Sequence, residues 1–354
     1  MRRVIFPFYT DRYKSNEGKA VSKIYNSVYG LALGDALGYR TEFLNFKNAL
    51  DTVGAIDFES IDKKLNISDD TQMSLYLIEG FKQAYQQSLP YAEQSGEIIR
   101  SVAKQFLLWL HDPENIRAPG NACISSLRYM ERNFSVEDHP IEVILQSSSP
   151  NRESKGSGTV MRSPWIGLLH AEGVIPEQDF KTFCYQQSML THRHPTALHA
   201  AYLGSLLTSK LYTNELHPGQ LQEFCLYVCD KKINIPGWEE LKEDFSATKY
   251  LPKDYDSSHF SQYDPSGYLG KDGKASTVLV TAVAMVDRFG HNPLEVMRRC
   301  VFNSGDSDTI AAVAGGILGA CYEDNIWESV ESIIESAYVP WLDETIVYLE
   351  SLNS

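Results

Sequence analysis

Apolar residues recur at three- and four-residue spacing in seven stretches: Tyr25 to Gly38, Gln72 to Tyr85, Glu97 to Leu110, Ala197 to Leu211, Leu221 to Cys229, Ser276 to Phe289 and Ile310 to Cys321. That period gathers each apolar set on one face of an α-helix. Prolines such as Pro90, Pro195, Pro293 and Pro340 fall between helices or in their first turns, where a missing N–H is tolerated. The alternation that marks a strand is nearly absent, and Thr52 to Phe58 is a weak candidate for it. The predicted fold is therefore all-α, with roughly a dozen helices and no TPR- or HEAT-like repeat. Ala311 to Ala320 reads AAVAGGILGA. Small side chains let helix axes approach closely, so this stretch is expected to be a central helix of a tight bundle.

The longest apolar run, Thr309 to Cys321, is shorter than the roughly 20 residues that cross a bilayer. The N-terminal apolar run is broken by Pro7 and by charges, which disqualifies it as a signal-peptide core. The six cysteines, Cys123, Cys184, Cys225, Cys229, Cys300 and Cys321, contain no CxxC pair and read as buried reduced thiols. A cytoplasmic location is expected.

The 354 residues include 32 basic and 46 acidic side chains, a net charge of -14. This balance argues against sequence-independent nucleic-acid binding and against docking on anionic membranes. An anionic ligand can still bind where positive charge is supplied locally. Residues 1–23 reverse the sign, with six basic and two acidic side chains and several aromatic and aliphatic ones. Two readings stand for this arm: a loosely ordered terminus, or a basic, aromatic segment that docks on a partner. Residues 231–274 are polar and without clear periodicity, and read as a long loop that borders the active site.

Five segments carry chemistry. SDDT, Ser68 to Thr71, and GDSDT, Gly305 to Thr309, each place two carboxylates and hydroxyls at a helix start. Helix capping explains one Asp in each cluster. A second Asp in the same turn adds repulsion unless a cation offsets it, so the pair of clusters points to a shared site for a hard divalent metal. In LGDALGYRTEF, Leu33 to Phe43, Asp35 sits mid-helix and suits a structural hydrogen-bonding role, while Glu42 lies past the helix and is freer. In KGSGTVMRSPW, Lys155 to Trp165, the Gly156–Ser157–Gly158 turn precedes a helical run and reads either as an anion site or as a plain loop. THRHP, Thr191 to Pro195, reads on its own residues as a polar hinge.

Together and in this order, the segments GDALG…E, SDDTQM, GSGTVMR, TH.HP and GDSDTIA resemble the ADP-ribosylglycohydrolase family. That family includes dinitrogenase-reductase-activating glycohydrolases and ADP-ribosylarginine hydrolases. The resemblance runs from about Ser22 to the C-terminus, leaving residues 1–22 as an extension and 23–354 as the domain. It implies a compact all-α domain with a binuclear Mg²⁺ or Mn²⁺ centre in a cleft. By motif match, Ser68, Asp69 and Asp70 are implied ligands from one side and Asp306, Asp308 and Thr309 from the other. Ser68 stands where relatives usually have Thr, with the hydroxyl retained. Glu42 is the implied acid/base residue. The Gly156–Ser157–Gly158 turn is implied at the diphosphate, with Ser157 where many relatives have Asn, and Met161 at the ribose or base. His192 is an implied ribose or phosphate contact, and Gly120 and Asn121 a loop near the metals. Ala118 departs from the pattern, because some arginine-specific relatives place an Asp there. The implied reaction is removal of ADP-ribose from modified protein by cleavage of its N-glycosidic bond to arginine. A rival reading is an immunity-type protein whose N-terminal arm blocks an ADP-ribosyltransferase toxin.

Overall fold

A computed structural model describes residues 20–53, 58, 61, 63–147, 152–251 and 266–353. The proposed arm, residues 1–19 of it, therefore lies outside the described residues, and nothing here bears on its two readings. The described residues form sixteen α-helices and no β-sheet. In chain order these are α1 (Lys23–Gly38), α2 (Phe46–Val53), α3 (Asp69–Ala84), α4 (Tyr91–Leu110), α5 (Asn121–Asn133) and α6 (Ile141–Ser147). They continue as α7 (Ser163–Ala171), α8 (Glu177–Met189), α9 (Pro195–Tyr212), α10 (Leu221–Lys231) and α11 (Trp238–Ala247). The last five are α12 (Ser266–Leu269), α13 (Ala275–Phe289), α14 (Pro293–Val301), α15 (Ser307–Gly319) and α16 (Val339–Ser351). Thr52 and Val53, the start of the weak strand candidate, belong to α2 instead.

The centre of the bundle is the pair α1 and α15. Every residue from Ser307 to Gly319 is buried, as is every residue of α1 except Tyr25. Their backbones touch because the facing residues lack side chains. A Cβ built on Gly34 would stand 2.1 Å from the Ala311 carbonyl oxygen, and one on Gly30 would stand 2.4 Å from that of Gly315. At the site end of the seam, a Cβ on Gly38 would stand 2.4 Å from the Asp308 Cα. Small side chains thus set the distance between the helices that carry Asp35 and Asp308. The seam runs along α1 through Gly30, Gly34 and Gly38, one glycine per turn.

The segment 231–274 is not one long loop. Trp238, Leu241 and Phe245 are fully buried at three- and four-residue spacing, and this narrow apolar stripe folds α11 inside an acid-rich sequence. Its far end does border the cleft. The Ser157 N–H donates to the Gly273 carbonyl (2.9 Å) and the Ala275 N–H to that of Lys155 (2.8 Å), tying this end to the glycine turn. Among the described residues all six cysteines are free, five of them buried. No helix of the described residues is long and apolar enough to cross a membrane.

Candidate active site

α3 and α15 start beside one another, so two helix N-termini and their acidic residues meet at the floor of one cleft. Ser68 caps α3, its hydroxyl accepting the Asp70 N–H at 3.2 Å. Asp35, fully buried on α1, clamps that cap. Its carboxylate accepts the Ser68 N–H (2.9 Å), the Thr71 N–H (3.0 Å) and the Thr71 hydroxyl (2.5 Å). The structural role expected of Asp35 is thus a specific one: it sets the position of the residues on either side of Asp69 and Asp70. Burial pushes its pKa up to about 6 against the opposing pull of these hydrogen bonds.

Asp69 accepts the Gly120 N–H at 3.1 Å, and its own N–H donates to the Arg117 carbonyl at 3.1 Å. Arg117 is itself held by Glu335 and by Glu114 at 2.7 Å. On the other wall, the Thr309 N–H donates to Asp308 at 2.9 Å, and the Thr309 hydroxyl reaches Asp70 at 3.4 Å. Ser68, Asp69, Asp70, Asp306, Asp308 and Thr309 are all buried. Glu42, half-buried, joins them: one carboxylate oxygen each from Glu42, Asp306 and Asp308 lie within 4.8 Å of one another.

This density of negative charge is costly without a counter-ion. Burial, then the neighbouring carboxylates, raise Asp70 and Asp308 well above the usual aspartate range. Burial also raises Asp69, and the Gly120 N–H opposes it. Glu42 rises to about 7, through burial and then Asp306 and Asp35. Among the described residues the buried Oδ2 of Asp70 has no hydrogen-bond partner. An all-oxygen donor set with an orphaned carboxylate oxygen fits a hard divalent cation, and the positive ends of two helices add to the same field.

The cleft above this floor has a volume of about 340 Å³, within the size range of small-molecule sites. Glu42, Asp69, Asp70, Asp306, Asp308, Thr309, Gly120, Asn121, Gly156, Ser157, Gly158, Met161 and His192 all line it, so the structure brings together every expected site residue except Ser68, which sits behind Asp70 as the helix cap. Ala118 lines it too, in the left-handed region at φ 50°. Phe43, Ala122, Cys123, Ser154 and Gly273 were not expected; of these only Gly273, in the segment read as bordering the site, carried a signal.

At the far side of the cleft, Ser157 to Thr159 form a 3-10 turn. His192 is 2% exposed and packs beneath it, so it is a wall of the cleft rather than a solvated hinge. His194 does the hinge work, accepting the Thr196 N–H to cap α9. The turn needs glycine at both ends. A Cβ on Gly158 would stand 2.7 Å from the Cys123 Sγ and 2.9 Å from the His192 Cε1. Gly158→Ala is expected to push the turn outward with little loss of stability, and a ligand seated on that turn should then bind at least about tenfold more weakly. Calorimetric titration of the variant alongside its melting curve checks this.

The family model for ADP-ribosylglycohydrolase matches residues 16–346. The chain belongs to the ADP-ribosylglycohydrolase family. The ADP-ribosyl-[dinitrogen reductase] glycohydrolase of Rhodospirillum rubrum is 24% identical over 310 residues, 83% of each chain. A solved structure titled ADP-ribosylglycohydrolase-related protein complex covers 94% of this chain and 98% of its own, with a TM-score of 0.61 and 17% identity. The all-α ADP-ribosylglycohydrolase fold is thereby shared, and membership makes this chain a hydrolase of the ADP-ribose-removing class.

Proposed function

We propose that this ADP-ribosylglycohydrolase is a divalent-cation-dependent enzyme that releases ADP-ribose from ADP-ribosylated protein, cleaving the N-glycosidic bond to arginine. The observation that carries the reading is the floor of the cleft: five carboxylates, one with an orphaned buried oxygen, facing a glycine turn across a space of small-molecule size. Asp69 and Asp70 would hold Mg²⁺ or Mn²⁺ at the start of α3, with Ser68 behind them as the cap that fixes Asp70, and Asp306, Asp308 and Thr309 would hold it from α15. Bound cations supply a Lewis-acid field that polarises a hydroxyl or water.

The chain's own residues account for the rest. The Gly156–Ser157–Gly158 turn and His192 bind the diphosphate or ribose oxygens, and Met161 packs at the ribose or base. Gly120 holds Asp69 in place, and Asn121 follows at the start of α5. Hydrolysis breaks the C1″–N bond; the water oxygen joins C1″ and its proton balance leaves on the guanidine nitrogen. Such a bond breaks through an oxocarbenium-like state, which a nearby carboxylate stabilises. Positive charge in the floor favours the ionised form of Glu42. Glu42 then acts as the base that orients the water and takes its proton.

The test is a side-by-side assay of arginine-linked and serine-linked ADP-ribosyl protein. Faster release from the arginine linkage is expected. Glu42→Gln is expected to keep ADP-ribose affinity within about threefold while turnover falls at least about a hundredfold. An unimpaired rate removes Glu42 from the reaction, and equal or faster release from serine overturns the linkage.

A further inference from the structure

Arg162 lies behind the glycine turn and is fully buried. Its guanidinium donates to the Gly158 carbonyl, the Gln187 side chain (2.6 Å), the Gln187 carbonyl (3.0 Å) and the Thr191 hydroxyl (3.0 Å), with the Cys123 thiol a further hydrogen-bonding neighbour, and all of these are neutral. Its fourth face rests on the Phe106 ring at 5.0 Å. Among the described residues no carboxylate forms an ion pair with it. Burial lowers its pKa only to about 10, so it stays charged at neutral pH. A buried charge without a counter-ion is expensive and acts strongly on whatever lies next to it.

What lies next to it is His192. The Thr191 hydroxyl, 3.0 Å from the Arg162 Nη2, is also 3.0 Å from the His192 Nδ1. A guanidinium can only donate, so the Thr191 oxygen accepts from it. The Cys123 thiol is a further hydrogen-bonding neighbour of Thr191. The single Thr191 proton can go to the His192 Nδ1 at 3.0 Å, the Ser188 carbonyl at the longer 3.3 Å or the Cys123 sulfur, and of these the imidazole nitrogen combines the short distance with the strongest basicity. Electrostatics favours the same choice: a lone pair on Nδ1 facing the cation is stabilised, and an N–H dipole pointed at it is not. The opposite edge of the ring faces the turn. A Cβ on Gly156 would stand 2.9 Å from Nε2. Among the described residues nothing hydrogen-bonds that nitrogen.

We propose that Arg162, acting through the Thr191 hydroxyl, is a positioning residue that holds His192 in its neutral Nε2–H tautomer, so that the cleft is offered a fixed, uncharged donor for a substrate oxygen. The ligand class, a ribosyl diphosphate, rests on the function proposed above; the tautomer does not. The burial of His192 and the Arg162 charge both oppose protonation of the ring, holding its pKa down to about 3. The donor is consequently the same across neutral and mildly acid pH.

Nitrogen-15 spectra of the imidazoles test this, with the His192 signal assigned by its loss in His192→Gln. Protonated Nε2 and bare Nδ1 are expected in the wild type at neutral pH. Thr191→Val should lose that preference and bind ADP-ribose about tenfold more weakly, the worth of one hydrogen bond. Thr191→Ser should restore both. A wild-type proton on Nδ1, or a Thr191→Val protein that keeps Nε2–H, overturns the proposal; the wild-type spectrum alone decides it if the variant fails to fold. A wild type that binds no ADP-ribose overturns the proposed function and leaves the tautomer result standing.

Discussion

Asp308→Asn is expected to lower ADP-ribose release by more than about 1,000-fold, roughly 4 kcal/mol of transition-state stabilisation. The same substitution should make the cation-free protein more stable. Burial and then Asp306, Asp70 and Glu42 push the Asp308 carboxyl well above its ordinary value of 3.8. A folded-state pKa above the unfolded one means that the folded chain binds the proton more tightly. Its stability contribution is complete below pH 3.8 and is lost as pH rises through the raised value. At neutral pH the acidic side chain therefore opposes folding, whichever protonation state it takes in the fold, and its neutral isostere relieves that. Added Mg²⁺ or Mn²⁺ should raise the wild-type melting temperature by mass action and that of Asp308→Asn much less. Excess chelator should silence the wild type in the release assay. Full activity in chelator would remove the cations from the mechanism. An Asp308→Asn protein that melts below the cation-free wild type would show that Asp308 carries a structural contact outweighing its repulsion.

Gly34→Ala should rank with the most damaging methyl additions among the described residues. Its Cβ would stand 2.1 Å from the Ala311 carbonyl oxygen, 2.3 Å from the Ala311 carbonyl carbon and 2.7 Å from the Ala312 nitrogen, all backbone and none able to rotate away. α1 and α15 must separate, which costs about 3 kcal/mol as overpacking of a close-packed core. Separation also moves Asp308 relative to the Asp35-clamped start of α3, so activity should fall further than stability alone accounts for. Gly96→Ala is the control. Gly96 lies inside α4, and its nearest neighbour to an added Cβ is the Ile141 side chain at 3.7 Å. Alanine there should stabilise by about 0.5–1 kcal/mol through helix propensity. Urea unfolding of the two variants measures both, and equal midpoints would mean that the seam is not the tight element of the fold.

Most of the architecture is legible in the sequence where the apolar stripe is broad. α1, α3, α9, α13 and α15 start and end within a few residues of the periodic stretches. The acidic clusters fall at the starts of α3 and α15, as their capping chemistry implies. Helices with narrow stripes escaped. α8 buries Phe180, Phe183 and Cys184 but otherwise reads polar, and α11 hides Trp238, Leu241 and Phe245 among acidic residues. In the site, residue types show which side chains can act, and only tertiary structure shows which of them meet. Glu42 reads as a free carboxylate past a helix; its approach to Asp306 and Asp308 depends on the packing of α1 against α15. The Asp35 clamp, the Gly273 carbonyl beneath Ser157 and the Arg162–Thr191–His192 chain join residues that no local spacing connects.

The seam between α1 and α15 also sets an order of events during synthesis. Asp70 and Asp306 lie 236 positions apart, so Asp35, Asp69 and Asp70 leave the ribosome long before Asp306 and Asp308. A nascent chain halted before α15 holds half of the donor set and exposes the small-residue face of α1 with nothing to cover it. With the proposed donor set, tight cation binding waits for α15, and chains cut short of it cannot compete for the metal.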